Sequence, residues 1–122
     1  PGRPPEAMML RRFALSGPPS ARILPSYANL VVQGLMMQGL VARVVTQEIA
    51  PCALSPHPCA KLVFERASSN DDRREVHYLV LDRGGQSWEL VYLLRRDNLD
   101  AWAPLLKEID APSSARRPSH VS

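Results

Sequence analysis

The chain has 122 residues, 45% of them hydrophobic and 22% charged, which is the size and composition of one globular domain with its own core. Its 15 basic and 12 acidic residues leave a formal charge of +3, but the arginines come in isolated pairs, most with acids close by, so we expect no nucleic-acid-binding face. No apolar run reaches the roughly 20 residues that a membrane-spanning helix needs.

Apolar residues are concentrated between Met8 and Ile109, whereas both ends are rich in Pro, Ser and Arg. This distribution predicts a flexible leader over residues 1–7, a single domain over residues 8–110 and a disordered tail over residues 111–122. Because the chain begins at Pro1 rather than at Met, the sequence leaves open whether a signal peptide or a lipid anchor preceded it.

A strand and a helix are predicted in the first third of the chain. Residues 8–15 have the apolar character of a strand, which the turn residues 16–19 (Ser-Gly-Pro-Pro) end. A short extended piece is expected over residues 21–24. Ser26 is the predicted N-cap of an amphipathic helix, because apolar residues then recur at helical spacings until the chain reaches Gly39.

From Val41 the apolar period changes to two, which predicts four antiparallel strands. We place them at residues 41–49, 60–67, 75–82 and 87–94. The third of these is apolar on both faces and is therefore expected in the middle of the sheet. The two glycines in residues 83–86 (Arg-Gly-Gly-Gln) predict a tight hairpin turn between the last two strands.

A helix is predicted to close the domain. Asp97 is its expected cap, and its apolar stripe ends at Ile109. Pro104 is tolerable if the first turn begins near Asp100, but it would kink a helix that began at Asp97. The predicted fold class is therefore α+β: an antiparallel β-meander sheet with an early helix and a C-terminal helix packed on it.

Two cysteines bracket a proline-rich loop. Cys52 and Cys59 have six residues between them, a spacing that suits a small disulfide-closed loop, and we favour the bridge over two free thiols. Disulfides persist in oxidising compartments, so we expect a periplasmic or otherwise extracytoplasmic protein.

No complete catalytic or metal site is recognisable in the sequence. Cys52, His57 and Cys59 offer three zinc ligands, but their spacing lacks the usual Cys-x2-4-Cys signature. The sequence contains neither a glycine-rich phosphate-binding motif nor the Gly-x-Ser-x-Gly motif of a nucleophile elbow. We therefore predict no enzymatic activity, no cofactor and no metal. The opposite hypothesis, a hydrolase or metal enzyme, predicts polar groups that converge around His57 or His77.

Aromatic residues are the other candidates for a functional surface. Phe64, Tyr78, Trp88 and Tyr92 alternate on neighbouring strands and are expected to form the core beneath the helices, with Trp102 packed onto the sheet. If one sheet face is uncovered, Trp88, Tyr92 and Trp102 are instead the predicted interaction surface.

The pattern of predicted elements resembles the PsbP/DcrB-like superfamily. The elements that carry this resemblance are the hairpin over residues 76–94, the closing helix around residues 102–109 and the middle strands over residues 39–49 and 60–64. The resemblance lies in the order and spacing of the predicted elements and covers roughly residues 20–110. It implies a non-enzymatic accessory protein, because relatives include extrinsic photosystem subunits, bacterial cell-envelope lipoproteins and secretion chaperones. No catalytic residues are carried over.

The expected function is that of a non-catalytic accessory or scaffolding protein of the bacterial cell envelope, a subunit of or an assembly factor for a larger complex. Its partners are expected to be other protein subunits, and any membrane association comes through a partner or a lost anchor. The alternative is a small-ligand or lipid-binding periplasmic module. That alternative predicts an apolar cavity between the first helix and the sheet, near Leu30, Val31, Leu35 and Trp88.

Overall fold

A computed structural model describes residues 5–12, 21–66, 70–81 and 86–111 of the chain. These residues form one antiparallel sheet of five strands and two α-helices, which confirms the predicted α+β class. The strands are β1 (Ala7–Arg12), β2 (Val41–Ala50), β3 (Cys59–Arg66), β4 (Arg73–Leu81) and β5 (Ser87–Arg95). The helices are α1 (Leu24–Met37) and α2 (Leu99–Asp110). No helix in the described ranges is long and apolar enough to cross a membrane.

The strands lie in the order β1-β5-β4-β3-β2. Strands β2 to β5 are a meander of antiparallel neighbours, and β1 joins it antiparallel to β5 at the far edge. Strand β4 is the middle strand, as its apolar character predicted, and it is buried from Glu75 to Leu81. Residues 82–85, which include the two glycines of the predicted turn, and residues 13–15 of the predicted first strand lie outside the described residues.

Side chains alternate between two faces of the sheet, and each face packs against one helix. On the first, which we call the α1 face, Leu62, Phe64 and Leu79 pack against Leu24 and Ala28 of α1. On the second, the α2 face, a core of sheet residues packs against one side of α2. That core consists of Val63, Val76, Tyr78, Val80, Tyr92 and Leu94 on the strands, with Leu99, Trp102, Leu106 and Ile109 on the helix.

The strand aromatics were predicted to form the core beneath the helices, and the structure divides them between two cores, one on each face of the sheet. Phe64 pairs with Glu75 across the β3–β4 ladder and lies on the α1 face. Tyr78, Trp88 and Tyr92 lie on the opposite, α2 face. The sequence shows the alternation along each strand, but only the register between strands decides which residues of neighbouring strands share a face.

The start of α1 differs from the prediction. Residues 21–23 form a turn of 3-10 helix rather than an extended piece, and Ile23 is the N-cap instead of Ser26. Pro25 explains the difference, since proline is favoured in the first turn of a helix, where its missing N–H and fixed φ cost nothing. The helix ends at Met37, and Gly39 closes it with a φ of +72°, a conformation that favours glycine.

The start of α2 also differs. A 3-10 turn (Arg96–Asn98) precedes the helix, so Asn98 rather than Asp97 is the N-cap, and Pro104 lies inside the helix. The carboxylate of Glu6 satisfies donors around this junction. It accepts hydrogen bonds from the backbone N–H of Arg95 (3.0 Å), from Asn98 Nδ2 (2.9 Å) and from Trp102 Nε1 (3.1 Å). The N-terminal segment is thereby fixed onto the end of the sheet.

Candidate functional site

Within the described residues, β1 is the last strand of the sheet and no further strand pairs with its outer edge. All six of its residues are exposed, and among them Met8 is 61% and Leu10 63% exposed. Its pairing with β5 runs from Ala7 to Arg12 without a register shift. In an antiparallel ladder alternate residues direct their N–H and C=O groups away from the partner strand, so β1 presents regular backbone donors and acceptors to solvent.

The opposite edge of the sheet is built differently. Strand β2 has two register shifts in its pairing with β3, between Val41 and Arg43 and between Val44 and Thr46. Its exposed positions include Arg43 and Glu48. Irregular pairing and charged side chains are the usual features that protect an edge from further strands. The sheet therefore has one protected edge and one open edge.

An apolar groove lies on the α2 face beside β1. Leu10, Leu54, Val80, Trp88 and Leu90 line it, and its volume is about 370 Å³. Its lining includes no residue of α2, which packs further along the same face. Groove and strand edge are continuous, because Leu10 belongs to both.

The positively charged side chain of Arg12 lies at one end of the groove. The Arg12 guanidinium lies 5.2 Å from the centre of the Trp88 ring, within the range of a cation–π interaction. Arg12 and its neighbour Arg11 are both exposed. An apolar surface with positive charge at one end therefore borders the open edge.

The three aromatic residues predicted as an interaction surface are only partly brought together. Tyr92 is buried, and its ring packs against that of Trp102 with centres 5.8 Å apart. Those two rings therefore belong to the core between α2 and the sheet, while Trp88 lines the groove. The alternation of Trp88 and Leu90 along β5 was the available signal for the groove, whereas Leu54 comes from a loop that no strand pattern places.

The predicted disulfide between Cys52 and Cys59 is present, and both residues are buried in the core of the α2 face. The loop that it closes is fixed at two points: Ala53 N–H donates to the carbonyl of Ile109 (2.8 Å), and Ser55 Oγ donates to the carbonyl of Leu81. The bridge holds Leu54 at the side of the groove.

The disulfide also bears on the zinc ligand set considered from the sequence. Both Cys52 and Cys59 use their sulfur atoms in the bridge, so neither offers the thiolate that zinc requires. His57 is exposed in the same loop. Across the described part of the chain, no group of three or more His, Cys, Asp or Glu side chains is placed to hold a metal ion.

A charged cluster lies buried on the α1 face of the sheet. His77 is 2% exposed, with Nε2 at 2.5 Å from Glu75 Oε2 and Nδ1 at 2.7 Å from Glu89 Oε2. Each outer carboxylate oxygen meets an arginine: Arg66 Nη1 donates to Glu75 Oε1 (2.6 Å) and Arg11 Nε to Glu89 Oε1 (2.7 Å). Charges of alternating sign therefore run through the sheet from Arg11 to Arg66.

The charges of this cluster set its protonation. Burial alone would lower the pKa of His77, but the hydrogen bonds and negative charges of Glu75 and Glu89 outweigh it and raise that pKa above its ordinary value. Burial would likewise raise the pKa of both glutamates, but His77 and the arginines outweigh it and lower the pKa of each. The raised pKa and the carboxylate oxygen at each ring nitrogen both favour the imidazolium form of His77, which donates from both nitrogens.

This cluster provides the convergence of polar groups that the enzyme hypothesis predicts around His77. Strand β4 was predicted to be apolar on both faces, but Glu75 and His77 lie on its α1 face. The acids do converge on His77, as the enzyme hypothesis requires. Both ring nitrogens are occupied and the side chain is closed off from solvent, so the imidazole has neither a free lone pair nor access to a substrate.

The structure does not bring together the four residues that the ligand-binding alternative predicts around one cavity. Val31 and Leu35 pack onto the α1 face, Leu30 is 63% exposed, and Trp88 lies on the opposite side of the sheet. The apolar groove takes its place on the α2 face. A comparison of the chain with protein-family models, curated proteins and solved structures finds no match.

Proposed function

We propose that this chain is a non-catalytic accessory or scaffolding protein of the bacterial cell envelope, which binds another protein subunit through the open edge of β1 and the adjoining apolar groove. The observation that carries the proposal is the continuity of these two features at Leu10, which is 63% exposed. Monomeric proteins rarely expose a contiguous apolar surface without a use for it, and edge strands are normally protected.

The chemistry of the site supports binding rather than catalysis. Those groove-lining residues that the structure describes are all apolar, so none of them offers an acid, base or nucleophile to a substrate. The buried ionic cluster around His77 lies on the other face of the sheet and has its hydrogen-bonding groups paired internally. Burial of apolar surface and backbone pairing are what such a site provides, and both are means of protein association.

The disulfide supports the envelope as the place of action. A buried bridge between Cys52 and Cys59 is compatible with an oxidising compartment such as the periplasm. Membership of the PsbP/DcrB-like superfamily, a prediction from the sequence pattern, agrees with an accessory role.

Site-specific crosslinking in the producing cells tests the proposal. A photoreactive amino acid in place of Leu54, at the side of the groove, is expected to give a discrete adduct with another polypeptide on irradiation. Leu30 is the matched control, because it is also an exposed leucine but lies on α1, remote from the groove. Absence of an adduct at Leu54, or the same adducts from both positions, would contradict the proposal.

A second candidate function is the binding of a small apolar ligand or a lipid chain. The groove volume of about 370 Å³ lies within the usual range for ligand pockets, and its lining suits an acyl chain. Solvent extraction of the natively purified protein followed by mass spectrometry tests it. A stoichiometric lipid that is lost from a Leu54→Arg variant, without any protein adduct, would favour this function over the first.

A further inference from the structure

The backbone of β1 can accept one more strand. Six consecutive residues, Ala7–Arg12, keep a regular antiparallel register with β5, so the outward N–H and C=O groups are regularly spaced along the edge. Strand addition to such an edge supplies main-chain hydrogen bonds, and side-chain contacts on alternate positions supply selectivity. Antiparallel addition continues the pattern of the whole sheet.

The side chains of β1 give the edge a direction. Met8 and Leu10 lie on the α2 face with the groove, and Arg12 follows them on the same face. On the α1 face the order is similar, with Met9 followed by Arg11. Both faces therefore change from apolar to cationic along the strand.

This direction determines the complementary sequence. An antiparallel partner strand begins opposite Arg12 and ends opposite Ala7. An acidic residue at its first position meets Arg12, and apolar residues at its third and fifth positions meet Leu10 and Met8 above the groove. Polar residues suit the positions between them, since that side is not lined by the groove.

A second copy of β1 is a poor occupant of this edge. Two β1 strands that pair antiparallel through this edge place residues of the same face opposite each other, for example Met9 opposite Met9, and Arg12 then faces Glu6 of the other copy. The Glu6 carboxylate already accepts hydrogen bonds from Arg95, Asn98 and Trp102 of its own chain, so it could pair with Arg12 of the other copy only at the cost of these bonds.

We propose that β1 is the acceptor for an extended segment of a partner protein, which carries an acidic residue followed by alternating apolar residues and adds antiparallel as a sixth strand. This inference rests on the proposed function and specifies the chemistry of the partner. The acid pairs with Arg12, and the apolar side chains pack beside Leu10 and Met8 at the margin of the groove.

Synthetic peptides are the probes for this inference. The peptide Glu-Thr-Val-Thr-Val-Thr has the predicted order, its reversed sequence has the same composition, and a third peptide replaces Glu by Lys. Amide chemical-shift changes in isotope-labelled protein give the affinities and the binding position. We expect shifts along β1, with both control peptides about three- to tenfold weaker because each loses the ion pair or meets like charge.

Charge reversal at the protein completes the test. The Arg12→Glu variant is expected to prefer the Lys peptide over the Glu peptide, whereas Arg43→Glu, an exposed arginine on the protected edge, keeps the original order of affinities. Equal binding of the forward and reversed peptides, or shifts confined to β2, would overturn the inference. A dimer in analytical ultracentrifugation that Arg12→Glu dissociates would overturn it in favour of a second copy.

These results are separable from the fate of the proposed function. If the Leu54 crosslink to a partner forms but no peptide shifts β1, the binding function stands and strand addition is wrong. If the crosslink itself is absent, the proposed function fails, whatever the peptides do.

Discussion

Replacement of His77 by leucine is expected to lower the free energy of unfolding by about 3–5 kcal/mol, a large fraction of a small domain's stability. The side chain is 2% exposed and lies between the carboxylates of Glu75 and Glu89, at 2.5 and 2.7 Å. Leucine has no charge, so it leaves two buried carboxylates without the cation that separates them. The matched control is His57→Leu, because His57 is exposed and its loss is expected to change stability by less than about 0.5 kcal/mol.

The stability conferred by His77 also depends on pH. Its pKa is raised above 6.5, so its contribution is complete below pH 6.5 and is lost as the pH rises through the folded-state pKa. The pKa values of Glu75 and Glu89 are lowered from 4.5, so their contribution is complete above pH 4.5 and is lost as the pH falls through their folded-state values. The cluster therefore stabilises the fold most between pH 4.5 and 6.5.

Urea denaturation at a series of pH values, followed by tryptophan fluorescence, measures both effects. Subtraction of the His77→Leu curve from the His57→Leu curve isolates the buried cluster from the rest of the charges. The difference is expected to shrink as the pH rises above neutrality. A difference that is below about 1 kcal/mol at mildly acidic pH, or that grows towards alkaline pH, would refute the proposed imidazolium between two carboxylates.

Three further predictions test the fold. Removal of the disulfide by Cys52→Ser with Cys59→Ser is expected to cost about 2.5 kcal/mol, measured by urea denaturation; no loss would mean that the bridge does not constrain the chain. Glu6→Ala leaves three donors without their acceptor and is expected to cost about 1–3 kcal/mol; an unchanged melting temperature would contradict its role in fixing the N-terminal segment. Gly39→Ala is expected to lower the free energy of unfolding by about 1–2 kcal/mol, because the φ of Gly39 is positive. Gly34→Ala in α1 is expected to raise it by about 0.5–1 kcal/mol, because a Cβ added there meets nothing within 4 Å. Equal effects of the two substitutions would contradict the assignment of Gly39 as the helix-closing residue.

The order of the elements was predictable because it depends on local patterns. Period-two alternation placed β2 to β5 to within about two residues of their observed ends, a usual precision for such boundaries. The cysteine loop was predictable for the same reason, since Cys52 and Cys59 are close in sequence. Helix starts were less predictable: Ser26 and Asp97 are suitable caps by residue type, but proline in the first turn and a preceding 3-10 turn determined the observed starts.

The candidate site was much less predictable because it depends on contacts between distant residues. Glu75, His77 and Glu89 are separate polar residues in apolar strands, and only the β4–β5 pairing brings the three together. The groove likewise needs Leu10, Trp88 and Leu54 from three distant segments. Alternation identifies which residues of one strand share a face, but not which face a helix leaves uncovered.

The open edge is rigidly supported from within the domain. At one end of β1, Glu6 binds the junction between β5 and α2 through Arg95, Asn98 and Trp102. Near its other end, Arg11 is held by the buried carboxylate of Glu89. A partner strand that adds to β1 therefore meets a backbone that is already fixed in the extended conformation. Because β1 is ordered beforehand, binding does not lose affinity through the conformational entropy of ordering it. This arrangement explains how a strand whose side chains are all exposed keeps a regular register. The buried ionic cluster and Glu6 are therefore structural supports of the proposed interaction surface.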